Sequence, residues 1–206
     1  MSPPKPPPMP DLEVDDPLYL MTLTIPELFL RPYQVRWDAT MFGVVNPYFP
    51  LYIKHEDLSE IAHDGRCLSI SVLQLWILHL TETCMRAGNS DIYGFLEPQS
   101  IQRSGQSQFE SESYIKSWMQ SSQRDVYLGA YLNGPDNYLK EIINRVLMML
   151  HSLNERLMLG GLSSRQKGTI ECGYYYFNNP RPLEPERLKT LRIQWAQFYL
   201  RVRDHA

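Results

Sequence analysis

The stretch CLSISVLQLWILHLTETCMRAGNSDIYGFLEP, residues 67–98, decides the fold class. Leu68, Val72, Leu73, Leu75, Trp76, Ile77 and Leu78 place apolar side chains on nearly every side of a helix over 67–87. A helix that is apolar all round belongs inside a core. Gly88 and Asn89 suit its C-terminal cap, because both tolerate left-handed backbone. Ile92 to Leu96 then reads as a strand, closed by Glu97-Pro98. A core helix feeding a strand predicts an α+β fold, in which a small sheet packs against mostly helical neighbours.

Further along the chain, Ser104 to Gln108 is polar and reads as a loop, and Ser111 to Ser121 as a helix carrying Tyr114, Ile115, Trp118 and Met119. Asp125 to Leu132 (DVYLGAYL) reads as a strand that ends in the turn residues Asn133-Gly134. Two more helices follow from 3.6-residue periodicity. One runs from Asn137 to about Met158, with Asp136 as N-cap and Leu139, Ile142, Ile143, Val146, Leu150, Leu153 and Leu157 recurring. The other starts at Pro185, a good first-turn residue. It gathers Leu188, Leu191, Trp195, Phe198, Tyr199 and Val202 on one face, with Arg187, Lys189, Arg192 and Arg201 mostly off it.

In the opposite direction, Glu56 to His63 suits a short helix ending before Gly65. Across 18–50, Pro26, Pro32, Pro47 and Pro50 interrupt every apolar run, which predicts loops with short extended pieces packed by Trp37 and Tyr48. Residues 1–17 read as a disordered, proline-rich leader, since proline removes backbone donors and favours extended conformations. That leader is no signal peptide, because it lacks an apolar stretch.

The chain has 206 residues, 43% of them hydrophobic, a net charge of -3 and a pI near 6.0. The length suits one domain plus a tail. The charge gives no electrostatic reason to expect nucleic acid or an anionic membrane as partner. The longest apolar run, Val72 to Leu80, is too short to span a bilayer. Cys67, Cys84 and Cys172 are odd in number and form no CxxC pair. Neither a disulfide framework nor a metal site is implied, and no cofactor motif occurs; an intracellular setting, nuclear or cytoplasmic, fits best.

Chemistry has one candidate place, Gln166-Lys167-Gly168-Thr169-Ile170-Glu171-Cys172-Gly173. A nucleophilic cysteine must be ionisable, which calls for a helix N-terminus, a histidine, or both. Cys172 lies between Gly168 and Gly173, after a polar turn and before an aromatic run. A turn leading into a helix would aim its sulfur at the positive end of the dipole. The Gln166 amide, six residues earlier, can donate to an oxyanion. By spacing alone a lone buried thiol competes with this reading.

Gln166 through Tyr174 (QKGTIECGY) resembles the nucleophile segment of ubiquitin-like-protein-specific (SUMO-type) proteases, a family of papain-like cysteine peptidases. The protease-like domain of plant transposon-encoded proteins is a nearer likeness. It extends to Phe49–Ile53, Tyr93–Pro98, Asp125–Gly134, Pro135–Leu139 and Arg181–Trp195, roughly residues 49–202 with gaps. The resemblance implies a papain-like α+β fold with a small incomplete sheet. It divides the chain into the leader 1–17, an irregular extension 18–48 and a ubiquitin-like-protease-like domain 49–206 lacking internal segments. It implies Cys172 as nucleophile, Gln166 as oxyanion-hole donor, and a ubiquitin-like modifier or its conjugates as partner.

Two departures follow. In the family the strand matching Asp125–Gly134 runs into a His-Trp pair and a further strand, whereas here Gly134 is followed at once by Pro135. The helix expected after Cys172 meets Asn178-Asn179-Pro180 within a turn or two. No other histidine is placed to substitute. His151 reads as an exposed helical residue, His79 as a hydrogen-bonded core residue, and His205 lies at the terminus. His55 and His63 neighbour Asp57 and Asp64, but side chains two apart on a helix do not face each other. The chain is therefore expected to be catalytically impaired, with Cys172 an ordinary thiol. It is also expected to expose apolar faces on the helices 67–87 and 137–158. The alternatives are a transposon remnant or mis-spliced product without function, and, ranked lower, a non-catalytic module binding ubiquitin-like tails.

Overall fold

A computed structural model describes residues 16–46, 50–62, 69–103, 106–130, 142, 145–146 and 185–204. Chain order gives α1 (Pro17–Leu23), α2 (Ile25–Leu30), β1 (Tyr33–Val35), a 3-10 turn (Ala39–Phe42), β2 (Leu51–Ile53), α3 (His55–Ala62) and α4 (Ile70–Arg86). After these come β3 (Tyr93–Phe95), a second 3-10 turn (Gln99–Ile101), α5 (Gln108–Ser122), β4 (Val126–Leu128) and α6 (Pro185–Asp204). The described residues are thus mostly helical, with two small sheets, as an α+β reading requires.

Two prolines start helices, one at the end of the leader 1–17 expected to be disordered and one in 18–50, where loops were expected. Pro17 sits in the first turn of α1, and the Asp16 side chain accepts the Leu18 N–H as N-cap. Pro26 occupies the first turn of α2. Proline costs nothing there, because first-turn N–H groups have no intrahelical partner. The expectation of loops across this segment is corrected accordingly. Trp37 does pack, with its ring 5.2 Å from that of Phe42; Tyr48 lies outside the described residues.

The long helix begins later than its apolar run suggests. Ser69 caps α4 by accepting the Val72 N–H, and Gly88, past the C-cap Ala87, adopts φ 70°. The Ser69 hydroxyl also donates to Asp57 at 2.6 Å, and the Asp57 carboxylate accepts the Lys54 N–H at 2.7 Å, so one pair of side chains fixes the starts of α3 and α4. Burial pushes the Asp57 pKa up, against the pull of these hydrogen bonds. Helix α5 starts earlier than expected, at Gln108. Ser107 and Glu110 form a reciprocal capping box that the loop reading of 104–108 passed over.

Strands β1 and β2 pair antiparallel, with Tyr33 opposite Ile53 and Val35 opposite Leu51. Strands β3 and β4 pair parallel, with Tyr93 opposite Val126 and Phe95 opposite Leu128. A parallel pair needs a crossover, and α5 supplies it.

Two apolar clusters result. The larger joins Met21, Leu28, Val35, Phe42, Ile53, Leu58, Leu73, Leu75, Trp195, Phe198 and Tyr199, among others. The N-terminal segment and α6 thereby cover the apolar side of α4. The smaller joins Leu96, Ile101, Ile115, Met119, Tyr127, Ile142 and Val146. Ile142, Arg145 and Val146 are helical, as the period of 137–158 requires, and the rest of that segment lies outside the described residues. The expectation that the faces of 67–87 and 137–158 lack partners is not met where they are described. Val72, Leu73, Leu75, Ile77, Leu78, Ile142 and Val146 are all buried.

Candidate functional site

The polar groups with the densest set of partners gather where β3 leaves its sheet. Glu97 is fully buried. Its carboxylate accepts from Gln74 Nε2 (2.7 Å), Gln99 N (3.0 Å), Ser100 N (2.6 Å) and Ser100 Oγ (2.8 Å). Its own N–H donates to the Tyr114 hydroxyl at 2.7 Å, which in turn donates to Phe42 O at 2.6 Å. Burial drives the Tyr114 phenol far above its ordinary pKa. Ser111 Oγ donates to Ser100 O, and Trp118 Nε1 to Phe95 O. Sequence makes this hub locally simple. Glu97-Pro98-Gln99-Ser100 opens a 3-10 turn whose first free N–H groups need an acceptor, and a side chain just before them supplies one.

Chemically the hub is closed. Both Glu97 oxygens are occupied and water has no access, so the carboxylate holds α4 and the turn together and is not placed to take a proton from a substrate.

Beside it lies a cleft of about 440 Å³, lined by Pro50, Tyr52 and Lys54 from around β2, by Ile70, Ser71 and Gln74 from α4, and by Gln99 and Gln102. Amides, hydroxyls and one cation line it. Among the described residues no cysteine, histidine or carboxylate lines it. Gln102 also clamps the exit of β4, donating through Nε2 to Ala130 O at 2.9 Å.

Cys172 and Gln166, the residues expected to carry chemistry, lie outside the described residues, as do Cys67, His63, His151 and His205. Two histidines are described. The His55 ring stacks on Phe29 with centroids 3.9 Å apart, and its Nδ1 is 3.1 Å from Glu56 Oε2. His79 sits between the rings of Trp76 (5.0 Å) and Phe198 (4.8 Å). Its Nδ1 is buried with no hydrogen-bond partner, which corrects the expectation of a hydrogen-bonded core histidine. The Cys84 thiol is half-buried, and burial raises its pKa. Among the described residues no group of His, Cys, Asp and Glu could hold a metal ion, and no helix is long and apolar enough to cross a membrane.

Sequence reasoning passed over Glu97. It reads as a strand terminator, and a buried carboxylate is rare enough that only its four donors, three of them from the turn that follows, explain it. Comparison with family models, with curated proteins and with solved structures gives no match.

Proposed function

We propose that the chain descends from a papain-like cysteine peptidase of the ubiquitin-like-protein-specific type and is catalytically impaired. The observation that carries the reading is the segment Gln166…Glu171-Cys172-Gly173, which pairs an oxyanion donor with a thiol at the family's spacing. In a complete member the thiolate attacks the carbonyl after a modifier's glycine tail, a histidine moves the proton, and the glutamine steadies the oxyanion. The passage from Gly134 directly to Pro135, with no His-Trp pair between them, supports the impairment. The two described histidines, His55 and His79, are packed against aromatic rings. Loss of a general base lowers turnover by about 10²–10⁴-fold. The modifier or its conjugates, and a nuclear or cytoplasmic setting, belong to the same proposal.

The test uses the purified full chain with a ubiquitin-like precursor. No cleavage that depends on Cys172 is expected. Alkylation of Cys172, with Cys67 and Cys84 replaced by serine, should show a midpoint at or above about pH 8.5, that of a free thiol. Turnover abolished by Cys172→Ala, or a midpoint well below neutrality, overturns the impairment.

A second reading, a transposon remnant or mis-spliced product, is favoured by the junction at Gly134-Pro135, where motif-like stretches meet directly. A transcript encoding His-Trp between them would restore the enzyme and remove this reading.

A further inference from the structure

Helix α6 is held on α4 by three contacts of different chemistry. Trp195 Nε1 donates to Val72 O at 3.1 Å. The Phe198 ring meets the His79 ring at 4.8 Å. Arg201 Nη2 pairs with Glu82 Oε2 at 2.6 Å, and its guanidinium lies 4.8 Å from the centre of the Phe198 ring. His79 is the odd member. It is packed like a phenyl ring between Trp76 and Phe198, yet it carries a buried Nδ1 without a partner.

A neutral imidazole tolerates that position with one nitrogen unsatisfied; an imidazolium would bury an N–H donor with no acceptor. The charged groups that reach it among the described residues are Glu82 and Arg86 on its own helix and Arg201 on α6. Two are cations, and the one carboxylate is already paired with Arg201. Protonation therefore meets desolvation first and net positive surroundings second, and both hold the imidazole's pKa below its ordinary value.

We propose that His79 makes the docking of α6 onto α4 acid-releasable: an added proton at the α4–α6 joint has no acceptor and is relieved when α6 lifts away. The direction follows from linkage. A released His79 titrates near about 6.5, above its docked value, so the released state binds more protons. Docking is fully supported above that pH and weakens as the pH falls through it.

The full chain tests this by hydrogen exchange of the α6 amides and the Trp195 indole, corrected for intrinsic pH dependence. Between pH 7.5 and 5.5 their protection should fall, by at most about tenfold, the bound set by an imidazole titrating near 6.5 when released. The α5 amides, in the other apolar cluster, should keep theirs. His79→Phe preserves the ring and removes the proton site, and should make α6 protection independent of pH over this range. An equal fall in His79→Phe, or a fall shared by α5, overturns the proposal. Should that variant fail to fold, the His79 ring protons of the native chain decide the matter by NMR titration. A midpoint below that of a free histidine is expected, and one at or above it overturns the proposal.

Discussion

The seam between α6 and α4 and the hub around Glu97 solve the same problem by opposite means. Along the seam, Trp195 and Phe198 are buried in a large apolar cluster, where most contacts are non-directional. Around Glu97, one carboxylate is buried by hydrogen bonds alone, with four donors aimed at two oxygens. An apolar seam weakens gradually as atoms are removed. A polar hub fails as a unit, because each donor left behind is itself buried and unsatisfied. Both regions clamp α4, the seam through Val72 and His79 and the hub through Gln74.

The largest effect should come from breaking the seam at its centre. Trp195→Ala removes the bulkiest fully buried side chain and leaves Val72 O without its indole donor. A loss of about 4 kcal/mol is expected in urea unfolding. A loss under about 1 kcal/mol would mean that α6 does not complete the core.

Next in size is Glu97→Ala, with an expected cost of about 3 kcal/mol, because Gln74, Gln99 N and Ser100 lose their acceptor together. A double-mutant cycle with Gln74→Ala should be strongly non-additive, whereas Glu97→Ala and Trp195→Ala should add. Additivity in the first cycle would argue that the hub is a set of independent bonds.

The smallest effect sharpens the comparison at the edge of the hub. Gly43 and Gly88 share nearly the same left-handed backbone, φ 73° and 70°. A Cβ at Gly43 would stand 2.5 Å from the Trp118 ring, while one at Gly88 meets nothing within 4 Å. Gly88→Ala should cost about 1 kcal/mol for strain alone. Gly43→Ala should cost about 2–3 kcal/mol, strain plus displacement of an indole whose Nε1 holds Phe95 O. Equal thermal shifts would show that Trp118 yields freely.

Helix interiors were legible in the sequence because they depend on local periodicity. The apolar run of α4, the period of α6 and the start of α6 at Pro185 all stand as read. Helix starts were legible in principle. Ser107-x-x-Glu110 is a capping box in plain sequence, and Asp16-Pro17 a cap followed by a first-turn proline. Counting prolines as interruptions hid α1 and α2, since a proline ends a helix only from its interior. The segment around Cys172 lies outside the described residues.

By itself, the sequence determined the α+β class, the helical periods and the direct passage from Gly134 to Pro135 with no His-Trp pair between them, because each rests on neighbours within a few residues. Only the tertiary structure decided what those elements bury. Arg192 donates to the carbonyls of Ile61 and Ala62 at the end of α3, partners 131 and 130 residues away. Gln74 meets Glu97 across 23 residues, and Gly43 owes its tight constraint to an indole on α5. No local pattern encodes such pairs. A buried donor takes whichever acceptor the packing brings within 3 Å, and packing is a property of the whole chain.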